Sequence, residues 1–506
     1  MKYGSIAAGS KETLNTAKDI LIEGGNAFDA TVGAIFTSMT SEFALTGAGG
    51  GGILISSSKD QHPMIYDFFV NYPLNNINSN LDFKKIKVNF GNTSQDFFIG
   101  KGSCAVPGNI AGLLQVHNEK GILPLDVILQ PAIKIAKDGV ILSKYQSYIN
   151  KLIKPILTDS KMGKQLFIKN KSFLEEGDTF KNPNFSTFLE ELILNGRDFF
   201  YKGEAAKIIE NTFNNGGMIN KNNLNNYKVY KRKPLKIKIG EYEIFTNPAP
   251  AYGGTLVVFL LKILKKSKRL NSNIIDLIKA MELTSVVRSE ICLNPFDEME
   301  ISNCLKDSIL NKYLESFNNE NFNNKNFKSS DLGSTTHISV IDKYENVVSA
   351  TTTNGEGSGI FIPEFGILMN NMLGERDLNP FGFHQWKHSG RLPTMLCPTI
   401  IMKNNKPLYA LGSGGSNRIR SAIVQIIINL IVKKMNLEDA VESPRIHLEN
   451  NILFIERDIQ IPKNTYTNKF LINKFADKSL FFGGANCVSI NEAVGDSRRG
   501  GVSEIF

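Results

Sequence analysis

Cysteine is scarce in this chain of 506 residues. Cys104, Cys292, Cys304, Cys397 and Cys487 are an odd number, widely spaced, with no Cys-x-x-Cys pair. That pattern argues against a disulfide framework or a zinc site and fits a reducing compartment. Histidine is nearly as scarce, at six. The one close pair, His384 and His388, lacks the intervening glutamate of a zinc-protease helix, and Gly382 and Gly390 bracket it. No metal and no other cofactor is expected. Long apolar runs are missing too. The best, Ala422 to Val432, is broken by Gln425 and Asn429 and is much shorter than the roughly 20 residues of a membrane span, so it reads as a buried helix. The N-terminus, Met-Lys-Tyr-Gly-Ser-Ile-Ala-Ala-Gly-Ser-Lys, is too polar for a secretory core, and a cytoplasmic location is expected. Arginine is absent before Arg197.

The charge that is present is unbalanced but scattered. The net +9 comes from dispersed lysines in a chain rich in Asn, Ile, Lys and Phe, a compositional bias rather than a nucleic-acid surface. Apolar residues at 42% and charged residues at 21% fit a globular protein with a large core. Helical spacing runs from Lys11 to Glu23, closed by Gly24-Gly25, and a second, more apolar helix begins at Asn26. Further helices are expected over Leu125 to Lys137 and Glu204 to Phe213. The glycine run Gly47 to Gly52 is not followed by Gly-Lys-Ser/Thr, so it reads as a tight backbone turn close to an active site rather than a phosphate cradle.

Past an Asn-rich stretch, 316–330, that reads as a surface linker, two β-prone runs, Thr336 to Asp342 and Val347 to Thr353, flank Lys-Tyr-Glu-Asn. A four-residue turn over Lys343 to Asn346 would pair Asp342 with Val347. Thr336 would then lie opposite Thr353, and Thr335 opposite Asn354. Thr335, at the head of this hairpin, carries the chemistry if the chain is cut before it. A free α-amine has a pKa of about 7.7–8.0 and can serve as base for the hydroxyl beside it. Before the cut that nitrogen is a non-basic amide. His337 shares the Thr335 face of the strand and is expected to be structural.

Several blocks occur in one order along nearly the whole chain. They include Glu23-Gly-Gly-Asn-Ala-Phe-Asp-Ala, Gly47 to Gly52, Val106-Pro-Gly, Gln130-Pro-Ala, Phe200-Tyr-Lys-Gly and Thr335-Thr-His-Ile-Ser-Val. Ser358-Gly-Ile, Gly366-Ile-Leu-Met-Asn-Asn, Pro398-Thr-Ile, Gly412-Ser-Gly-Gly-Ser, Ser443-Pro-Arg and Asp496-Ser-Arg-Arg-Gly-Gly follow. Together they resemble the γ-glutamyltranspeptidase family of N-terminal nucleophile hydrolases. The resemblance implies an α/β (α+β) fold, a four-layer αββα sandwich. It implies a precursor cleaved between Ser334 and Thr335 into a large fragment, 1–334, with 316–334 as linker, and a small fragment, 335–506. The two fragments would stay associated. Implied roles are Thr335 as nucleophile, Thr353 as the hydroxyl bonded to it, and Gly414 and Gly415 as oxyanion donors.

The implied activity is cleavage of γ-glutamyl amides such as glutathione, with acyl transfer to water or an amine. No nucleic-acid or membrane partner is implied. Substrate recognition departs from the family pattern. Tyr66-Asp-Phe-Phe-Val-Asn-Tyr-Pro replaces the usual Arg-Glu-x-Ala-Pro, and no arginine follows it before Arg197. Lys84, Lys85 or Arg391 could replace the cation, although a lysine lacks the bidentate fork. Thr394 retains one hydroxyl of the usual serine pair, Glu375 stands for the acidic amine-binder with Asp377 nearby, and Asn354 stands for the amide. Two alternatives remain open: an acylase with a non-glutamyl substrate, and a non-catalytic homologue acting as a binding protein. The block Asp496-Ser-Arg-Arg-Gly-Gly reads as a structural ion-pair network, with a place in the pocket as the alternative.

Overall fold

Alternate residues of the strand Thr336–Asp342 face two different layers. Ile338 and Val340 pack with the helices Lys11–Ile22 and Ala27–Ser41, whereas Ile341 joins the apolar core on the opposite face. On that face the Ser339 hydroxyl donates to the carbonyl of Asn486, in a second sheet. A period of two thus fixes which side of the strand meets helix and which meets sheet. The computed structural model describes residues 2–506 except 60, 75–79, 90–93, 272, 292–296, 320–332, 380–381, 387–388 and 465.

The first sheet has seven antiparallel strands. Their spatial order is Tyr230–Arg232, Met64–Phe68, Gly51–Ser57, Val347–Thr353, Thr336–Asp342, Gly4–Ala8 and Val502–Ile505. The second has six: Leu235–Ile239, Tyr242–Thr246, Thr399–Lys403, Lys406–Gly414, Gly484–Ser489 and Ala493–Gly495. Helices Leu125–Asp138 and Pro183–Tyr201 complete the outer layer of the first sheet, and Tyr252–Lys266, Ile274–Ile291 and Arg418–Ile427 cover the second. The result is the four-layer αββα sandwich.

Local chemistry sets most of these boundaries. Asn26 caps its helix by accepting from Phe28 N (2.9 Å) and Asp29 N (3.0 Å), and Asp29 returns the bond to the Asn26 N–H. The buried run after Arg418 is helical as expected and passes into a π-turn over Ile428–Val432. Among the described residues no helix is long and apolar enough to cross a membrane.

Two expectations need correction. The linker does not begin at 316, because the helix Asp307–Asn319 carries Tyr313 and Phe317 into the core, and 320–332 lie outside the described residues. The hairpin register is shifted by one: Thr336 pairs with Thr352 and Ile341 with Val347. The turn holds five residues, because Asp342 N donates to the Asn346 carbonyl (3.1 Å). Glu345 takes a left-handed φ of 64°. The Asp342 carboxylate accepts from Tyr344 N (2.8 Å), Asn346 N (3.0 Å) and Asn346 Nδ2 (2.8 Å), and also from Ala27 N (2.9 Å). One carboxylate therefore ties the turn to the first N–H of a helix, which has no partner within the helix itself.

Candidate active site

The strand Thr336–Asp342 lies in the middle of the first sheet, and its head abuts the second. Thr335 is 5% exposed and Thr353 is 6% exposed. Continuing the observed register by one residue brings Thr335 opposite Thr353, not Asn354. In the uncut chain the Thr353 hydroxyl does not bond the Thr335 side chain. It donates to the carbonyl oxygen of Ser334 at 2.5 Å, and it accepts from Gly355 N at 3.0 Å. A backbone donor thus orients the hydroxyl that polarises the carbonyl just before Thr335.

The second sheet approaches this point through glycines. A Cβ on Gly414 would sit 2.2 Å from the Thr335 carbonyl oxygen, so only glycine fits there. Gly415 follows with φ +122°, a conformation that L side chains rarely adopt. Two residues earlier on the same strand, Gly412 makes room for the His337 ring. His337 bonds Thr351 Oγ1 (2.7 Å) and Ser339 Oγ (2.9 Å), and burial pulls its pKa down to about 3. It is a neutral structural residue. The glycine loop is also a close-packing device: a side chain on Gly50 would strike the Thr353 carbonyl at 2.1 Å.

A cleft of about 30 Å³ opens beside the Ser334–Thr335 peptide, room for one or two waters and not for a substrate. Its lining includes Thr335, Thr353, Glu375, Asp377, Thr394 and Ser416. Glu375 and Thr394 therefore reach the site, with the Glu375 carboxylate packed against Gly355. Asp377 is already engaged, by Arg288 (3.4 Å) and by the side chains of Asn417 and Ser416.

Other expected binders lie elsewhere. Asn354 is 1% exposed, its Nδ2 donates to Leu368 O (3.1 Å), and it packs on Gly47 and Gly50, behind the strand. Arg391 pairs with Asp67 (3.1 Å) and donates to Tyr227 Oη (2.6 Å), Asp67 O, Lys228 O and Phe69 O. Its guanidinium holds strands together and does not line the cleft. Lys84 pairs with Asp159 (2.7 Å) and Lys85 with Asp96 (2.6 Å), both partly exposed. Among the described residues the cleft lining carries no lysine or arginine.

Two further side chains reach the site: Glu356, which had no role in the sequence reading, and Arg499, which was read with its block as part of an ion-pair network. Glu356 is 2% exposed, and its Oε1 accepts from Ser334 N at 3.3 Å. Its backbone N–H donates to Asn371 Oδ1 (2.9 Å), while its Oε2 is buried without a hydrogen-bond partner. Burial pushes this carboxyl up to about 8, against which the Ser334 N–H and the charge of Arg418 pull down. The available signal was an acidic residue set between glycines, Gly355-Glu356-Gly357, immediately after the Thr353 strand.

Arg499 is the second. It donates to the carbonyls of Gly333 (3.3 Å) and Leu480 (3.2 Å). The rest of its motif is the expected ion-pair network. Asp496 bonds Arg445 (2.7 Å) and Arg498 (3.2 Å), and Arg498 bonds Glu456 (2.6 Å). His384 Nε2 donates to Gly102 O (2.8 Å), while His388 lies outside the described residues. No group of metal-ligating side chains occurs among the described residues.

The γ-glutamyltranspeptidase family profile matches residues 14–505. The chain belongs to that family. It is 28% identical to the glutathione hydrolase proenzyme of Bacillus subtilis (strain 168), covering 99% of this chain and 91% of that one. It is 27% identical to the acylase ACY 1 proenzyme of Pseudomonas sp. (strain SE83), covering 87% and 81%. Among solved structures, the cephalosporin acylase of Bacillus halodurans superposes with a TM-score of 0.81 at 19% identity, over 100% of this chain and 96% of that one. That likeness supports the fold. The family is one of hydrolases and transferases, and this chain is an enzyme of that class.

Proposed function

We propose that the chain is a self-processing threonine hydrolase. In this reading it cleaves γ-glutamyl amides such as glutathione through an acyl-Thr335 intermediate, and water or an amine takes the acyl group. The observation that carries the reading is the 2.5 Å hydrogen bond from Thr353 to the Ser334 carbonyl. It stabilises negative charge on the oxygen of the one peptide bond whose cleavage frees the Thr335 amine. The Thr335 hydroxyl attacks the Ser334 carbonyl carbon, the peptide nitrogen leaves, and an ester to Thr335 forms. Water hydrolyses that ester. The freed α-amine then serves as base for substrate turnover, with Gly414 and Gly415 N–H groups as oxyanion donors. The proenzyme names of the relatives fit this sequence of events.

Glutathione hydrolysis among the relatives supports a γ-glutamyl donor, with Glu375 and Thr394 at the binding end. A second reading, a non-glutamyl acyl donor, draws on the absence of a lysine or arginine from the described cleft lining and on the acylases among the relatives. Intact mass spectrometry tests the first step: two fragments meeting between Ser334 and Thr335 are expected. A chain that stays whole and reacts with no amide or ester probe would defeat the enzyme reading in favour of a binding protein. Comparing γ-glutamyl anilide with simple acyl anilides separates the donors. Weak γ-glutamyl turnover with a high KM is expected; tight, efficient turnover would show that another cation has taken over the carboxylate.

A further inference from the structure

Self-cleavage of this kind needs two proton transfers at one carbon, and the residues already named serve the first of them best. Attack by the Thr335 hydroxyl expels the peptide nitrogen and leaves an ester. No free amine is available to help before that moment, and the amine that then appears is on the leaving-group side. The acyl side of the bond has a different neighbour. Glu356 Oε1 holds the N–H of Ser334 itself at 3.3 Å. Backbone geometry separates the N and C atoms of one residue by about 2.5 Å, so this oxygen lies no more than about 5.8 Å from the Ser334 carbonyl carbon. A single water touching both the carbon and a carboxylate oxygen spans that distance. The other oxygen, Oε2, is buried without a hydrogen-bond partner. A cleft with the volume of one or two waters is lined by Ser334 and Thr335, and Glu356 reaches the same residue from outside that lining, through the Ser334 N–H.

We infer that Glu356 is the general base of the ester-hydrolysis step that completes self-cleavage. The inference rests on the self-processing reading above. Glu356, in its ionised form, whose share grows as pH rises toward 8, takes a proton from water as the water oxygen forms a bond to the Ser334 carbonyl carbon. The bond from that carbon to Thr335 Oγ breaks, and Oγ leaves with the proton that Glu356 returns. The products are a Ser334 carboxyl group and a free Thr335 carrying both hydroxyl and amine. No other reactant is consumed. The Ser334 N–H bond places the carboxyl within one water of the acyl carbon, and Thr353 holds the oxyanion from the side of the hairpin.

The test uses the full chain, purified quickly and followed by intact mass. With Glu356→Gln, fragment formation should slow about 100-fold, within the range for removing a positioned base. The unsplit species should be the ester, so mild neutral hydroxylamine should split it at Ser334, leaving a hydroxamate there. Glu356→Asp should recover part of the rate, and Thr335→Ala should resist hydroxylamine at that position. Circular dichroism and thermal melting confirm that each variant is folded. Wild-type cleavage kinetics in Glu356→Gln would overturn the inference. So would a folded Glu356→Gln chain that stays whole and resists hydroxylamine, because the block would then precede the ester. A wild-type chain that never splits would instead overturn the self-processing reading itself.

Discussion

At the residue scale, the arrangement around Thr335 makes the hydroxyl of Thr353 responsible for an oxygen that becomes charged only during the reaction. Removing a donor of that type typically costs about 2.7–4 kcal/mol, or roughly 10²–10³ in rate. Thr353→Ala should therefore slow fragment formation by about that factor, while Thr353→Ser, which keeps the hydroxyl, should restore most of it; timed mass spectra read both. Thr335→Ala should remain a single chain without turnover, and an active, split variant would end the mechanism.

Glu356 carries a stability consequence of its own. Its folded carboxyl titrates at about 8 against an ordinary value of 4.5, with burial as the main cause. Between those values the folded chain keeps a proton that the unfolded chain has released. Stability from this group is thus intact below pH 4.5 and is lost as pH rises through 8. Glu356→Gln should melt higher than the wild type at pH 8.5, and the gain should shrink toward pH 5. His337 has the opposite displacement, down to about 3, and contributes no charge change at neutral pH.

At the scale of elements, one carboxylate decides the register of the central hairpin. Asp342 accepts two turn N–H groups, the Asn346 amide and the Ala27 N–H. Losing these bonds, with buried donors left behind, should cost about 3 kcal/mol, near the upper end for a single substitution. Urea unfolding of Asp342→Ala checks this, and a loss under 1 kcal/mol would show that water replaces the carboxylate. The strand boundaries, Thr336–Asp342 and Val347–Thr353, were legible because β-branched residues fill both runs. The register was not legible. Lys-Tyr-Glu-Asn suits a four-residue turn locally, and the fifth residue joins it through Asp342, whose side chain also reaches a helix over 300 positions away.

For the whole molecule, the two proposed fragments are interleaved rather than side by side. In the first sheet, the strand Thr336–Asp342 pairs with Gly4–Ala8, and Val347–Thr353 pairs with Gly51–Ser57. In the second, Tyr242–Thr246 pairs with Thr399–Lys403. Each of these contacts crosses position 335, so hydrolysing one bond leaves the ladders and both cores unbroken. The fragments of the split chain should co-elute in gel filtration and separate only in denaturant. Separation in native buffer would contradict the interleaving. Arg391 belongs at this scale as well. Its position in the sequence, near Thr394, suggested a substrate cation, but Asp67 and a set of backbone carbonyls from distant segments claim it.

The sequence by itself determined the ordered family blocks, the helices with their caps and the two hairpin strands, and it supplied the proposed nucleophile. Each of these rests on side-chain identity at short spacing, which a linear chain displays directly. Only the tertiary structure decided that Thr353 faces the Ser334 carbonyl, that Asn354 and Arg391 turn away, and that Glu356 and Arg499 touch the residues before the proposed cut. Those outcomes depend on a one-residue register and on which buried charge finds which partner. Both are settled by packing between segments hundreds of residues apart, where a polar group left without a partner is too costly to keep.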